Sequence, residues 1–484
     1  MWRFNMLFLF LPIVLLVILA VVVFRTLAMR THTKHPATAT AVQTGIEEET
    51  ILAEAVTCRT VSHADPNLTD WSEFSRLLAL LETSFPLCSK HRITDETIGP
   101  YNLVYCFTGE DKSREPALLT AHLDVVGANE QEWSHPPFKG TIEDGFLYGR
   151  GSFDCKLQVI SILSAFEHIL KTGEHPKHTW YVAFGCDEES NSSKKGAVRI
   201  ARYFQGQALH FSFVLDEGGV VSQKYIKGFE QSIAVVGVAE KGYLDLELTV
   251  ERTAGHSSTP TFPTALGTLS EAIYRLENKQ MPAKLTPPVK QMLTNLGKEG
   301  PFAYSMLFLN LWLTGGLLKF VFSRQATLNA AIRSTIVPTV ITASDTSNVI
   351  AKKATAIVNC RLLPGDTQES ILSWVTKTIS SDSVRVKARQ CTPPSHISKT
   401  DGEAFSFLSE TIKMTFPETI VTPYLMMGAT DARKYQNLSD YIYRFTPARM
   451  DRSEVDRMHA PDERISLENI SLAQQFYTLL ITGW

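Results

Sequence analysis

The sequence predicts an α/β protein in which a smaller α+β module interrupts a larger α/β domain. Three observations lead there. Apolar strand-like runs alternate with helical runs between about residues 101 and 219. The texture changes after VAEKGYLDLELTVER (238–252), and the turn PGD (364–366) returns the chain to segments resembling the first part.

Taken in order, residues 47–57 and 71–83 carry helical periodicity, while YNLVYCF (101–107) and ALLTAHLDVV (117–126) read as strands. QVISILSAFEHILKTG (158–173) is a helix closed by Gly173. TWYVAFGC (179–186) is the next strand, KKGAVRIARYF (194–204) the next helix, and FSFVLDEGG (211–219) another strand. The interrupting module spans about 243–362, with a helix at 263–276 and strands near 331–338 and 354–362. Inside it, YSMLFLNLWLTGGLLKFVF (304–322) is apolar enough to suggest a second membrane span. Asn310 and the Gly315-Gly316 pair interrupt it, and an acyl-binding or helix-covered surface fits equally well.

The N-terminus has another character. Residues 6–24 are uninterrupted apolar sequence, with Arg3 before them and Arg25 and Arg30 after. Such a run serves as a signal peptide or as a signal anchor. Its length and the lack of a clear small-residue cleavage site favour the anchor, with 26–45 a flexible stalk. Four sequons, at Asn67, Asn191, Asn437 and Asn469, agree with export.

Composition narrows the function. The chain has 484 residues, 47 basic against 50 acidic, and a formal charge of −3. No basic block is present, so a nucleic-acid surface is not expected. Seven cysteines are too few and too scattered for a disulfide scaffold, and the odd number leaves at least one free or paired between chains. Cys106, Cys155 and Cys186 lie in or beside apolar segments and read as small core residues.

Metal-type side chains cluster at the ends of the expected strands. In TAHLDVV, His122 and Asp124 are two apart and would face the same way on a strand. In LYGRGSFDCK, Asp154 precedes the helix that begins near Leu157, where it would equally serve as a cap. CDEES places Asp187, Glu188 and Glu189 after a buried strand, and VLDEGG repeats the pattern with Asp216 and Glu217. An open α/β sheet presents ligands at the carboxyl ends of its parallel strands. Carboxylates with imidazole and no cysteine-rich pattern suit zinc and related divalent ions. With two adjacent glutamates, one can ligate while its neighbour accepts a proton.

The ordered motifs HLDVVGA, PPFKG, LYGRGSFDCK, GCDEES, LDEGG and MHAPDE (458–463) resemble the family of zinc aminoacylases and carboxypeptidases. The likeness covers nearly all of the chain after the stalk. It implies a di-zinc exopeptidase-like catalytic domain in two parts, 46–242 and 363–484, around a lid or dimerisation domain at 243–362. Two zinc ions per subunit are implied, with His122, Asp154, Glu189, Asp216 and His459 as ligands and Asp154 shared. Asp216 is favoured over Glu217. Asp124 would orient His122, and Glu188 would be the general base. His256 of TAGHSSTP resembles a lid histidine that meets the developing oxyanion. Asn359 and Arg433 resemble substrate contacts, the arginine near a carboxylate.

The export signal and the apolar stretch 304–322 bring the chain closer to a secreted branch of that family, which cleaves and condenses N-fatty-acyl amino acids. This implies amphipathic small-molecule substrates: N-fatty-acyl amino acids, fatty acids and amino acids. It also implies secretion through a signal peptide at 1–25, with a signal-anchored form as the alternative. A homodimer through the lid, and association with lipoproteins or a membrane surface, accompany that reading. Phe308 and Leu311 would then line a place for the acyl chain. The alternatives are a dipeptide exopeptidase like carboxypeptidase S and a catalytically silent binding protein on the same fold.

Overall fold

The computed structural model describes residues 2–31, 47–190, 194–223 and 226–484. Helix α1 (Trp2–Met29) opens the chain. It is apolar and exposed over most of its described surface, consistent with a cleavable signal peptide of a secreted protein, and it is also long enough to cross a bilayer. Because the helix continues to Met29, the expected stalk cannot start at 26, and its 32–45 portion lies outside the described residues.

The chain builds two principal sheets, of seven and four strands. Strands β1 (Leu103–Phe107), β2 (Ala117–His122), β3 (Trp180–Gly185), β4 (Val214–Ser222) and β5 (Ser232–Glu240) build most of the larger one, with helix α2 (Lys156–Lys171) between β2 and β3. The chain then leaves through β6 (Gly242–Glu251), α3 (Ala265–Asn278), α4 (Pro287–Glu299), α5 (Phe302–Phe308) and α6 (Leu311–Phe322). It continues through β7 (Thr335–Thr342), β8 (Lys353–Leu362), α7 (Gln368–Ile379) and β9 (Arg385–Thr392), and returns as β10 (Thr419–Met426) and β11 (Ile442–Met450).

The larger sheet has the order β1-β3-β2-β4-β11-β5-β10. Its central strands β3, β2, β4 and β11 run parallel. All six residues of β2 are buried, as expected of a strand covered on both faces. Helix α2 and the C-terminal helix Leu467–Gly483 contribute to the apolar core with Leu119, Val182 and Leu215. The helix Ala197–Gly206 contributes to a second core with Leu118, Ala183 and Val214, the alternate residues of the same strands.

The smaller sheet has the order β7-β8-β6-β9. Leu244, Leu246, Leu248 and Val250 of β6 alternate with less buried residues and pack with α3 and α7 in one core. A sheet with helices on one face needs this period-two pattern, in contrast to the continuous burial of β2. The module does not end at 362: β9 pairs with β6 from Arg385 to Thr392, so α7 and β9 belong to it. Helices α4 to α6 depart in the other direction. They form a separate core with Ile233 of β5 and Ile420 of β10, on the outer strands of the larger sheet.

The apolar stretch 304–322 is two helices meeting at 100°. The break falls at Leu309 and Asn310, while Gly315 and Gly316 lie inside α6. Phe308 is 6% exposed and packs within the α4–α6 core, and Leu311 packs against the same core.

Candidate metal centre

Strand β2 ends at His122, which brings its side chain to the carboxyl edge of the sheet. Its Nδ1 lies 2.8 Å from the backbone carbonyl of Asp124 and 3.5 Å from that residue's carboxylate. The chain has left the strand by Asp124, so the two side chains do not stand side by side as a continuous strand would require. The carbonyl, rather than the carboxylate, is the nearer partner of the ring. A ring whose Nδ1 faces a carbonyl presents Nε2 to a ligand.

Nε2 of His122 faces Asp154 Oδ1 at 3.1 Å and Glu217 Oε1 at 3.2 Å. The other oxygen of Asp154 lies 2.9 Å from His459 Nε2, and that same nitrogen lies 2.9 Å from Glu189 Oε1. Two groups result, His122/Asp154/Glu217 and Asp154/Glu189/His459, and each has its ligand atoms within 4.8 Å of one another. Asp154 belongs to both. It is not the cap of α2, because the capping position is Cys155.

Glu217, not Asp216, faces His122. Successive side chains on a strand point to opposite faces, so only one of the pair can reach the cluster. Asp216 is turned away, and its Oδ2 accepts the backbone N–H of Ala432 at 2.7 Å. The pair does not end its strand as the sequence suggested; β4 runs on to Ser222.

Glu188 and Glu189 follow β3, and Asp124 binds both. Its Oδ1 accepts the N–H of Glu188 at 3.1 Å, and its Oδ2 accepts the N–H of Glu189 at 3.0 Å and the Ser62 hydroxyl at 2.5 Å. Asp124 therefore orients the acidic loop as well as His122. Glu188 groups with His122 and Glu189 but not with His459. Asp187 closes the turn, its carboxylate accepting the N–H groups of Lys194, Lys195 and Gly196.

The electrostatics fit a cationic occupant. Burial, followed by the charge of Asp154, pushes Glu217 well above the usual carboxylate range. Burial also raises Glu188, with His122 opposing and Glu217, Asp431 and Glu189 reinforcing. Burial opposes the charge on Asp154 too, but hydrogen bonds with His122 and His459 overcome it and hold that group low. His459 is raised to about 10 by Asp154 and Glu189. Protons on the imidazoles thus balance the carboxylates when no cation is bound. Divalent ions suit the same oxygen and nitrogen donors, and their binding would release those protons. The donor set is compatible with a binuclear metal centre. Cys155 also falls in the first group, but burial pushes its thiol up, and its sulfur accepts the His122 N–H at 3.1 Å.

Glu463 was not singled out from the sequence. Its Oε1 accepts the N–H groups of Gly151, Phe153 and Asp154, and its other oxygen pairs with Arg150. It fixes the loop that presents Asp154. The signal was the acid closing MHAPDE, four residues beyond His459.

Three expected contacts lie elsewhere. His256 is exposed on a two-residue strand, its Nδ1 2.8 Å from Ser258 Oγ. Asn359 donates to Asp245 within the smaller sheet. Arg433 donates to the Pro393 carbonyl at 2.7 Å, and its Nε lies 3.7 Å from Glu240, at the crossing between the two modules. Among the described residues, none of the three joins the metal-type groups. Of the sequons, Asn67 and Asn437 are exposed and Asn191 lies outside the described residues. Asn469 is buried and bonded through both side-chain ends to the backbone of Arg449, so it is not available to carry a glycan.

Comparison with known proteins agrees with this geometry. Residues 118–483 match the model of peptidase family M20/M25/M40. The chain is 38% identical over 423 residues to the N-fatty-acyl-amino acid synthase/hydrolase PM20D1 of Xenopus tropicalis, covering 87% of this chain and 82% of the relative. It is 36% identical over 436 residues to a probable carboxypeptidase S-like protein of Dictyostelium discoideum, covering 89% and 83%. The fold resembles an M20 family metallo-carboxypeptidase of Sulfolobus solfataricus with a TM-score of 0.65 at 17% identity, covering 90% of this chain and 98% of that one.

Proposed function

The chain belongs to peptidase family M20/M25/M40, and from that premise we propose that this metallohydrolase cleaves, and in reverse condenses, the amide bond of N-fatty-acyl amino acids. The observation that carries the hydrolytic part is the sharing of Asp154 between two ligand groups, with Glu188 beside one member of each, His122 and Glu189. The choice of substrate is supported by 38% identity, over most of both chains, to a synthase/hydrolase of that class.

His122, Asp154 and Glu217 would hold one zinc, and Asp154, Glu189 and His459 the other. When bound, the ions would make water a stronger nucleophile at neutral pH and polarise the scissile carbonyl. Glu188 takes the proton from the attacking water and returns it to the amide nitrogen as the C–N bond breaks. Its burial-raised pKa suits a group that must both accept and donate. Asp124 fixes the Glu188 backbone for that task. We assign the oxyanion contact to His256 and a further substrate contact to Asn359, both brought to the site by closure of the lid or by a second subunit. Arg433 takes the substrate's free carboxylate.

The carboxypeptidase S-like relative favours a second reading, a dipeptidase with the same residues in the same roles. A panel of N-acyl amino acids from acetyl to oleoyl, run beside dipeptides with and without chelator, separates the two. Faster chelator-sensitive turnover of long-acyl substrates supports the first reading. Turnover confined to dipeptides overturns it.

A further inference from the structure

Helix α6 carries its apolar face outward. Trp312, Leu313, Leu317, Phe320 and Val321 are between 48% and 58% exposed, whereas Leu318 and Phe322 are buried against the α4–α6 core. With Gly316, whose surroundings are open, the exposed positions fall at i, i+1, i+4, i+5, i+8 and i+9, a single stripe along the helix. A contiguous exposed apolar stripe marks an interaction site rather than ordinary surface.

Two observations identify the occupant. The first is position. The carboxyl end of α1 seats on the α5–α6 break: Asn310 Nδ2 donates to the buried Thr26 hydroxyl at 3.0 Å, and Arg25 Nε donates to the Leu309 carbonyl at 3.2 Å. Just beyond, the Thr31 N–H donates to the Lys298 carbonyl at 3.2 Å. The carboxyl end of this membrane-seeking helix therefore adjoins the start of the exposed stripe.

The second is charge. From residue 300 to residue 344 the sequence contains Lys319, Arg324 and Arg333 but no acid. Arg324 lies over the Phe320 ring at 4.2 Å, and Arg30 over that of Phe302 at 5.7 Å, placing cations at the margin of the apolar surface. The nearest preceding acid, Glu299, is 3.5 Å from Lys413. An exposed apolar stripe bearing Trp, Phe and Leu, with basic residues at its margin, is suited to a lipid surface, its long basic side chains reaching toward the headgroups.

The geometry points to α6 as a membrane-docking helix that lies in the interfacial plane of a bilayer carrying anionic lipid. It seats the protein on a lipid surface whether or not α1 is removed. The surface is separate from the metal centre, and the inference is independent of the substrate.

The test places a fluorophore on the full chain purified from expressing cells, with exposed Cys391 replaced by Ser. Bimane is attached at Trp312→Cys, at Phe320→Cys, or at Tyr274→Cys on exposed α3 as the control. Each protein is mixed with vesicles of phosphatidylcholine and phosphatidylserine, with and without brominated acyl chains. The expected result is a blue shift and bromine quenching at 312 and 320, weakened by Lys319→Gln/Arg324→Gln, with no change at 274. Absence of quenching at 312 and 320 overturns the proposal. So does a concentration-dependent shift at those positions without vesicles that lipid leaves unchanged, since this would make the stripe a contact between copies of the chain.

Discussion

Glu463 accepts the backbone N–H of Asp154 at 3.1 Å across 309 residues of sequence, using the oxygen that also holds Gly151 and Phe153. The residue shared by both ligand groups is thus positioned by an acid from the same loop as His459. Both Glu463 and its partner Arg150 are almost wholly buried. Glu463→Ala leaves a buried cation and three N–H groups without their acceptor. Losing one member of such a pair costs about 3–5 kcal/mol, so a lower thermal midpoint and weakened binding of both metals are expected. Calorimetry with metal analysis checks both, and an unchanged midpoint would remove Glu463 from this role.

Glu217 and Asp216 separate under substitution. Glu217→Ala is expected to bind one zinc in place of two, because His122 and Asp154 lose their third donor. Asp216→Asn, which keeps an acceptor for Ala432, is expected to retain both. Metal content after dialysis reads the difference, and the reverse pattern would restore Asp216 as the ligand.

Arg433→Ala is expected to raise KM for N-acyl amino acids with a smaller change in kcat. Hydrolysis of the corresponding amino-acid amides, which lack the carboxylate, should be unaffected. Equal losses on both substrates would mean that the arginine only braces Glu240 at the crossing between modules.

The metal-free protein has a distinct pH response. His459 is raised from 6.5 to about 10 by its carboxylate partners. A group whose folded pKa is raised contributes stability that is complete below its unfolded pKa and is lost as pH climbs through the folded one. In chelator, the thermal midpoint advantage of the natural protein over His459→Gln should therefore shrink between about pH 6.5 and 10. A gap independent of pH would show that His459 is not charged in the metal-free state. Because the metal displaces that proton, zinc affinity should rise with pH.

The parts legible in the sequence were those governed by local pattern. Placement beside the expected strands and helix brought out His122, Asp154, Glu188 and Glu189, and the motif resemblance added His459; the structure groups all five. What was not legible depended on phase and pairing. Nothing in VLDEGG states which face β4 presents to its neighbours, and that alone decides between Asp216 and Glu217. Strand β9 joins the lid by pairing with β6, a long-range contact invisible in RVKARQCT, so the boundary moved from 362 to 392. Apolarity marked 304–322 but not its orientation: α5 is partly absorbed into a core, whereas α6 shows its stripe outward. The lid residues His256 and Asn359 resembled site contacts by motif, yet their reach depends on lid placement, which no local pattern encodes.

The most direct test of the account is metal content and turnover measured on one preparation of Glu188→Gln, using a long-chain N-acyl amino acid. Glu188 is assigned the proton and not a ligand role, and removing a general base lowers rate by about 10²–10⁴-fold. Two zincs per chain are expected in both this variant and the natural protein, with turnover of the variant reduced by at least that order. Two zincs with undiminished turnover would contradict it.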